Sequence, residues 1–186
     1  MIIYIVIGAV VVILVAVVAS LYNSLVKLNV RTDESWSDIT VQLKRRADLI
    51  PNLVSTVKGY ATHEKSVFED VANARSAIMS AKGPAETAKA DNMLTSTMKS
   101  LFAVAENYPD LKASDNFQQL QGQITDTEDK IQASRTIYNS NVKDFNSKRK
   151  VFPTSIFAGM LGFKADREFF DAGGDQSINQ PPAVKF

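Results

Sequence analysis

The chain has no cysteine and one histidine among 186 residues. Without cysteine there is no disulfide, thiolate nucleophile, thiol-ligated zinc or cysteine-borne lipid. One histidine, His63, cannot build a histidine metal cluster. The Glu-x-x-His pairs of carboxylate-bridged di-iron bundles are also missing, because Glu64 adjoins His63 and no histidine lies near Glu128. A Ser-His-Asp triad would have only His63 to draw on, and no nucleophile elbow or phosphate-binding glycine loop occurs. His63 is therefore read as a surface or hydrogen-bonded helix residue. Charge of one sign is lacking too. The net charge is +1, which does not suit a protein that tracks nucleic-acid phosphates. Glycines sit mostly at breaks, and no period-two alternation runs for a useful length, so β architecture is not expected. These absences lead us to expect no enzymatic activity, no metal, no cofactor and no nucleic-acid partner.

What is present begins with residues 2–22, "IIYIVIGAVVVILVAVVASLY", and no charge appears before Lys27. A run of about 20 apolar residues is long enough to cross the hydrocarbon as a helix. A cleaved signal peptide is the alternative, but it needs a basic n-region and a shorter apolar core. Lys27 and Arg31 follow the span and only the α-amino group precedes it. The rule that Lys and Arg flank the cytoplasmic side puts the N-terminus out and the large domain in the cytoplasm.

Beyond the anchor, helical stepping dominates. Leu25, Leu28, Thr32, Trp36, Ile39 and Leu43 advance by three and four, as one buried helical face does. "KGPAE" at 82–86 and "ENYPDLKASDN" at 106–116 break the pattern. The stretch "QLKRRADLIPNLVSTVKGY" at 42–60 is ambiguous. One straight helix over 32–81 would be roughly 75 Å long, about twice the next segment. A turn near Asp48–Pro51 instead gives segments 22–47, 50–81, 84–107 and 115–150, matched for a four-helix bundle. Lys44, Arg45 and Arg46 would then close a helix, with Asp48 capping the next. We expect that turn; a kinked continuous helix is the alternative. The expected fold is all-α, an N-terminal transmembrane helix continuous with an up-and-down four-helix bundle. The regions are 1–22 anchor, 23–151 bundle, 152–170 a Phe-rich segment and 171–186 a disordered tail. Trp36, Leu43, Val57, Val71, Ile124, Ile131 and Tyr138 are expected in the core.

Glu64, Arg75, Glu128 and Arg135 interrupt apolar faces. They form either one internal polar cluster that fixes helix register, or a set of charges at the edge of the core with packed stems. Asn23, Asn52, Asn107, Asn139 and Asn146 are expected in caps and local hydrogen bonds. "SKRKVFP" at 147–153 and the Phe-rich segment after it are expected back at the membrane if the chain turns at Pro51. Lys148, Arg149 and Lys150 would then face anionic headgroups. Phe157, Met160, Leu161 and Phe163 would enter the interface or meet a neighbouring subunit's anchor. The alternative is that this segment covers the open end of its own bundle.

The strings "YNSLV", "QLKRRADLIPNLVSTVKGYATHE", "ENYPDLKASDNFQQLQ" and "YNSNVKDFNSKRKVFP" closely resemble the LemA family of bacterial membrane proteins, over nearly all of the chain after the anchor. The resemblance implies one N-terminal span, a helical bundle and an N-out topology. A family member takes part in forming magnetosome membranes. Ala47 departs from the usual family histidine and Asn29 from an arginine, so a function needing that histidine is not implied here. The expected function is a non-enzymatic scaffold that self-associates at the bacterial inner membrane, in membrane organisation or remodelling. The alternative is an accessory subunit of a membrane quality-control or protease complex. The expected partners are the lipid bilayer, further copies of the chain and a membrane protein.

Overall fold

The computed structural model describes residues 1–171. All but the first residue of the expected disordered tail lies outside them. The protein is all-α, with no strand among the described residues. Its helices are α1 (Ile2–Lys58), α2 (Lys65–Ser80), α3 (Gly83–Glu106), α4 (Pro109–Lys112), α5 (Asp115–Lys150) and α6 (Thr154–Phe157). They build two compact units. The first holds Met1–Asp38 with Ser134–Glu168, and the second holds Ile39–Ala133 with the described residues from Phe169.

The anchor runs without a break into α1, as expected. Among the described residues, α1 alone is long and apolar enough to cross a membrane, and none of its apolar window is buried against protein. A core helix of a soluble domain would bury that surface, so this helix is a candidate membrane span.

The turn expected at Asp48–Pro51 does not occur. Helix α1 passes through Pro51 and ends at Lys58; the reversal falls in "GYATHE", residues 59–64. The physical reason is a donor from another helix. Pro51 has no N–H for the Ala47 carbonyl, the partner four residues back. Arg75 Nε on α2 donates to that carbonyl at 2.9 Å. With the orphan acceptor satisfied, the proline ring can stay on the exposed side of a continuous helix. Gly59, Thr62 and His63 are poor helix formers, and the chain turns there instead. Lys44, Arg45 and Arg46 therefore lie within a helix rather than at its end.

In the second unit α2 runs antiparallel to α1, with Lys58 over the Phe68 ring and Ala47 against Arg75. Helix α5 also runs antiparallel to α1, joined at Thr56–Asn116 and Arg45–Asp126. Phe102 of α3 meets Phe117 of α5 edge-on at 6.2 Å. Gly83 opens α3 with φ 75°, a left-handed conformation that glycine adopts without strain. Glu86 Oε2 accepts the Lys82 backbone N–H at 3.0 Å and so satisfies the N-cap amide. Leu43, Val57, Val71, Ile124, Ile131 and Tyr138 are buried as expected. Trp36 is only half-buried. Its ring lies 5.6 Å from that of Tyr138, while the adjacent Ser35 takes the buried position.

Candidate membrane-facing site

In the first unit the end of α5 packs on α1 just past the apolar span. Leu25, Phe145 and Ala158 form a buried cluster, with Leu28 and Phe163 against it. The Phe163 ring stands 5.9 Å from Phe145 and 6.2 Å from Tyr22. Phe163 thus meets the chain's own anchor. Phe157 and Leu161 reach further along the span and share an apolar cleft of about 600 Å³ with Leu14, Val15, Val18, Ala19 and Tyr22. Met160 points away and is 85% exposed.

A polar base closes this segment. Asn146 on α5 both donates to the Arg167 carbonyl (2.9 Å) and accepts from the Arg167 N–H (2.8 Å). Sequence reasoning gave Asn146 a local role, yet its partner lies 21 residues away. Arg167 also donates to Asn29 Oδ1 at 3.1 Å and pairs with Asp33, both on α1. Arg149 and Lys150 pair with Asp166, and Arg149 Nη1 donates to the Lys164 carbonyl at 3.1 Å. The hydrogen bonds from Lys150 and then Arg149 hold the Asp166 carboxyl below its ordinary value. Two of the three cations expected to face headgroups therefore have an internal carboxylate partner, while Lys148 is half-buried. Tyr138 donates to the Glu168 carbonyl at 2.8 Å, and its burial pushes the phenol up to about 12.

The second unit holds a buried charge that sequence reasoning missed. The Arg46 side chain is 3% exposed and donates to Asp91 Oδ1 (3.0 Å) and to Thr95 Oγ1 (3.0 Å), both on α3. Glu128 of α5 pairs at 2.6 Å with Nη1, the nitrogen that meets Asp91. The signal was available: Leu43, Arg46 and Ala47, and Ile50 step by three and four, which puts Arg46 on the core face. Of the four residues considered as one cluster, Glu128 sits at this arginine and Arg75 serves the Ala47 carbonyl. Glu64 occupies the half-buried position before α2 and makes no side-chain cap, and the half-buried Arg135 belongs to the other unit. Among the described residues no three of His, Asp and Glu converge as a metal-binding group.

A helical chain whose long apolar N-terminal helix suits a membrane, and whose C-terminal segment folds back on that helix, falls among membrane-associated helical proteins. The chain belongs to the LemA family, whose profile matches residues 35–186. It is similar to magnetosome protein MamQ 2 of Paramagnetospirillum magneticum, at 26% identity over 90% of this chain and 72% of the relative. It is 24% identical to magnetosome protein MamQ of Magnetospirillum gryphiswaldense, over 86% of this chain and 69% of that protein. Protein LemA of Metamycoplasma hominis is 27% identical over 75% of this chain and 64% of its own length.

Proposed function

We propose that this protein is a non-enzymatic, membrane-anchored helical scaffold that self-associates at the bacterial inner membrane, with its N-terminus out and its bundle in the cytoplasm. The observation that carries this reading is the return of the chain to its own anchor. Phe163 packs on Tyr22, Phe157 and Leu161 face the span across an apolar cleft, and Arg167 ties the segment to Asn29 and Asp33. A segment folded back beside the apolar span supports a reading in which the chain meets the membrane at two places, which suits a structural element more than a tethered catalyst. The MamQ relatives are magnetosome proteins. A role in organising membrane is the part of that likeness we carry to this chain.

Gentle extraction of the native protein, followed by native-size measurement and mass spectrometry, tests the proposal. A large particle made of this chain alone is expected. A stoichiometric complex with a different membrane protein would replace self-association with an accessory-subunit role.

A further inference from the structure

Residues 151–163, "VFPTSIFAGMLGF", carry no charge, while Lys148–Lys150 precede them and Lys164, Asp166 and Arg167 follow. Their inner side faces the anchor across an apolar cleft that extends as far as Leu14. Leu14 is eight residues beyond Tyr22, or about 12 Å along the helix. Half of a hydrocarbon core is about 15 Å. The tip therefore reaches well into one leaflet and stops short of the other. Its outer side is apolar too: Phe152 is 79% exposed, Ile156 59% and Met160 85%. They lie before, within and after the short helix α6 (Thr154–Phe157), so each of the three parts of the segment exposes a large apolar side chain.

Much of the backbone is hydrogen-bonded within the segment, which lowers the cost of leaving water. Ser155 N donates to Val151 O, Ala158 N to Thr154 O, Leu161 N to Phe157 O and Phe163 N to Ala158 O, all at 2.8–2.9 Å. Thr154 is buried. The charged base, with Asp166 between Arg149 and Lys150, closes the loop beside the first polar turns of α1. A polar base and an uncharged tip fix how deep the segment can sit.

From this geometry we propose that residues 151–163 are a single-leaflet wedge. Phe152, Ile156 and Met160 are covered by the acyl chains of the leaflet on the bundle side. The wedge adds cross-section to that leaflet alone, so the protein prefers membrane curved outward toward its bundle, as shallow apolar insertions do. The inference rests on the anchor reading above, and the tests separate the two.

The absence of cysteine allows single labels on the full chain. We would place an environment-sensitive fluorophore at Met160→Cys, Val12→Cys or Glu34→Cys in phosphatidylethanolamine–phosphatidylglycerol vesicles. Lipids brominated on the acyl chain should quench 160 and 12, and aqueous iodide should quench 34. If 12 is quenched by brominated lipid and 160 only by iodide, the wedge is wrong and the anchor stands. If 12 is open to iodide, the anchor reading itself fails. If 160 resists both quenchers, protein rather than lipid covers it and the wedge is again wrong.

The second test draws thin tubes from giant vesicles and follows molecules whose bundle is labelled from outside. Several-fold enrichment in the tube over the flat membrane is expected. Phe152→Ser, Ile156→Ser and Met160→Ser together should abolish the enrichment while leaving helix content unchanged, because all three side chains are exposed. Equal density of the unaltered chain in tube and flat membrane, or undiminished sorting of the triple variant, would overturn the wedge.

Discussion

The contact between Arg75 and the Ala47 carbonyl makes a quantitative claim about Pro51. A proline inside a helix removes one hydrogen bond and crowds the carbonyl four residues back, at a cost of about 3 kcal/mol. Ala47 is fully buried, so water cannot rescue its carbonyl. The Nε of Arg75, 2.9 Å away, is the replacement donor. Arg75→Met keeps an apolar stem and deletes the donor. It should cost about 1–3 kcal/mol, the penalty of a buried acceptor left without a partner. Pro51→Ala returns an N–H to position 51 and with it the ordinary helical bond to Ala47. In that background Arg75→Met should cost less than about 0.5 kcal/mol, near the limit within which independent sites add. The expected coupling between the two positions is therefore about 0.5–3 kcal/mol.

Urea unfolding of the full chain in micelles, followed by far-UV circular dichroism, completes the cycle. Arg45→Met is the control. Arg45 is half exposed and pairs loosely with Asp126 at 3.7 Å, so its loss should stay below about 1 kcal/mol in both backgrounds. If Arg75→Met costs the same with proline or alanine at 51, the carbonyl does not depend on Arg75. The explanation for the unbroken helix would then fail.

Three further outcomes follow from the same physics. Asp91→Ala leaves the Arg46 charge buried with only the half-exposed Glu128 opposite it, and should cost about 3–5 kcal/mol in the same unfolding assay; Arg46→Met with Asp91→Leu should recover most of that loss. Tyr138 binds its proton more tightly in the folded state, so stability should fall as pH rises from 10 toward about 12, where the unfolded phenol has ionised and the folded one has not; Tyr138→Phe should flatten that alkaline limb of a pH–stability curve. Asp166 is shifted the other way, so its contribution is present above pH 3.8 and is lost as pH falls through its lowered value; Asp166→Asn should remove that acid limb and loosen the base of the 151–163 segment, read as faster amide exchange there.

The features that could be read from the sequence were those written in local periodicity. The apolar span, the three-four stepping and the breaks at "KGPAE" and "ENYPD" each depend on neighbours within a few residues, and the structure keeps them. What was misread depends on partners far along the chain. The rule that proline ends a helix fails at Pro51 because Arg75, 28 residues on, supplies the donor that the local sequence lacks. The closing of the polar base by Asn146, Asp166 and Arg167 could not be seen either, because those groups meet only after the chain has turned.

The error in the turn still left one consequence intact. Moving the reversal from 48–51 to 59–64 does not change how many reversals separate the anchor from the end of α5. The last long helix therefore comes back to the first, with Phe145 beside Leu25 and Phe163 beside Tyr22. Had the chain only kinked at Pro51 and continued straight through "GYATHE", one reversal would have been lost and the uncharged stretch at 151–163 would have ended away from the span. The number of reversals, more than their position, brings an apolar segment with charged borders back beside the apolar span.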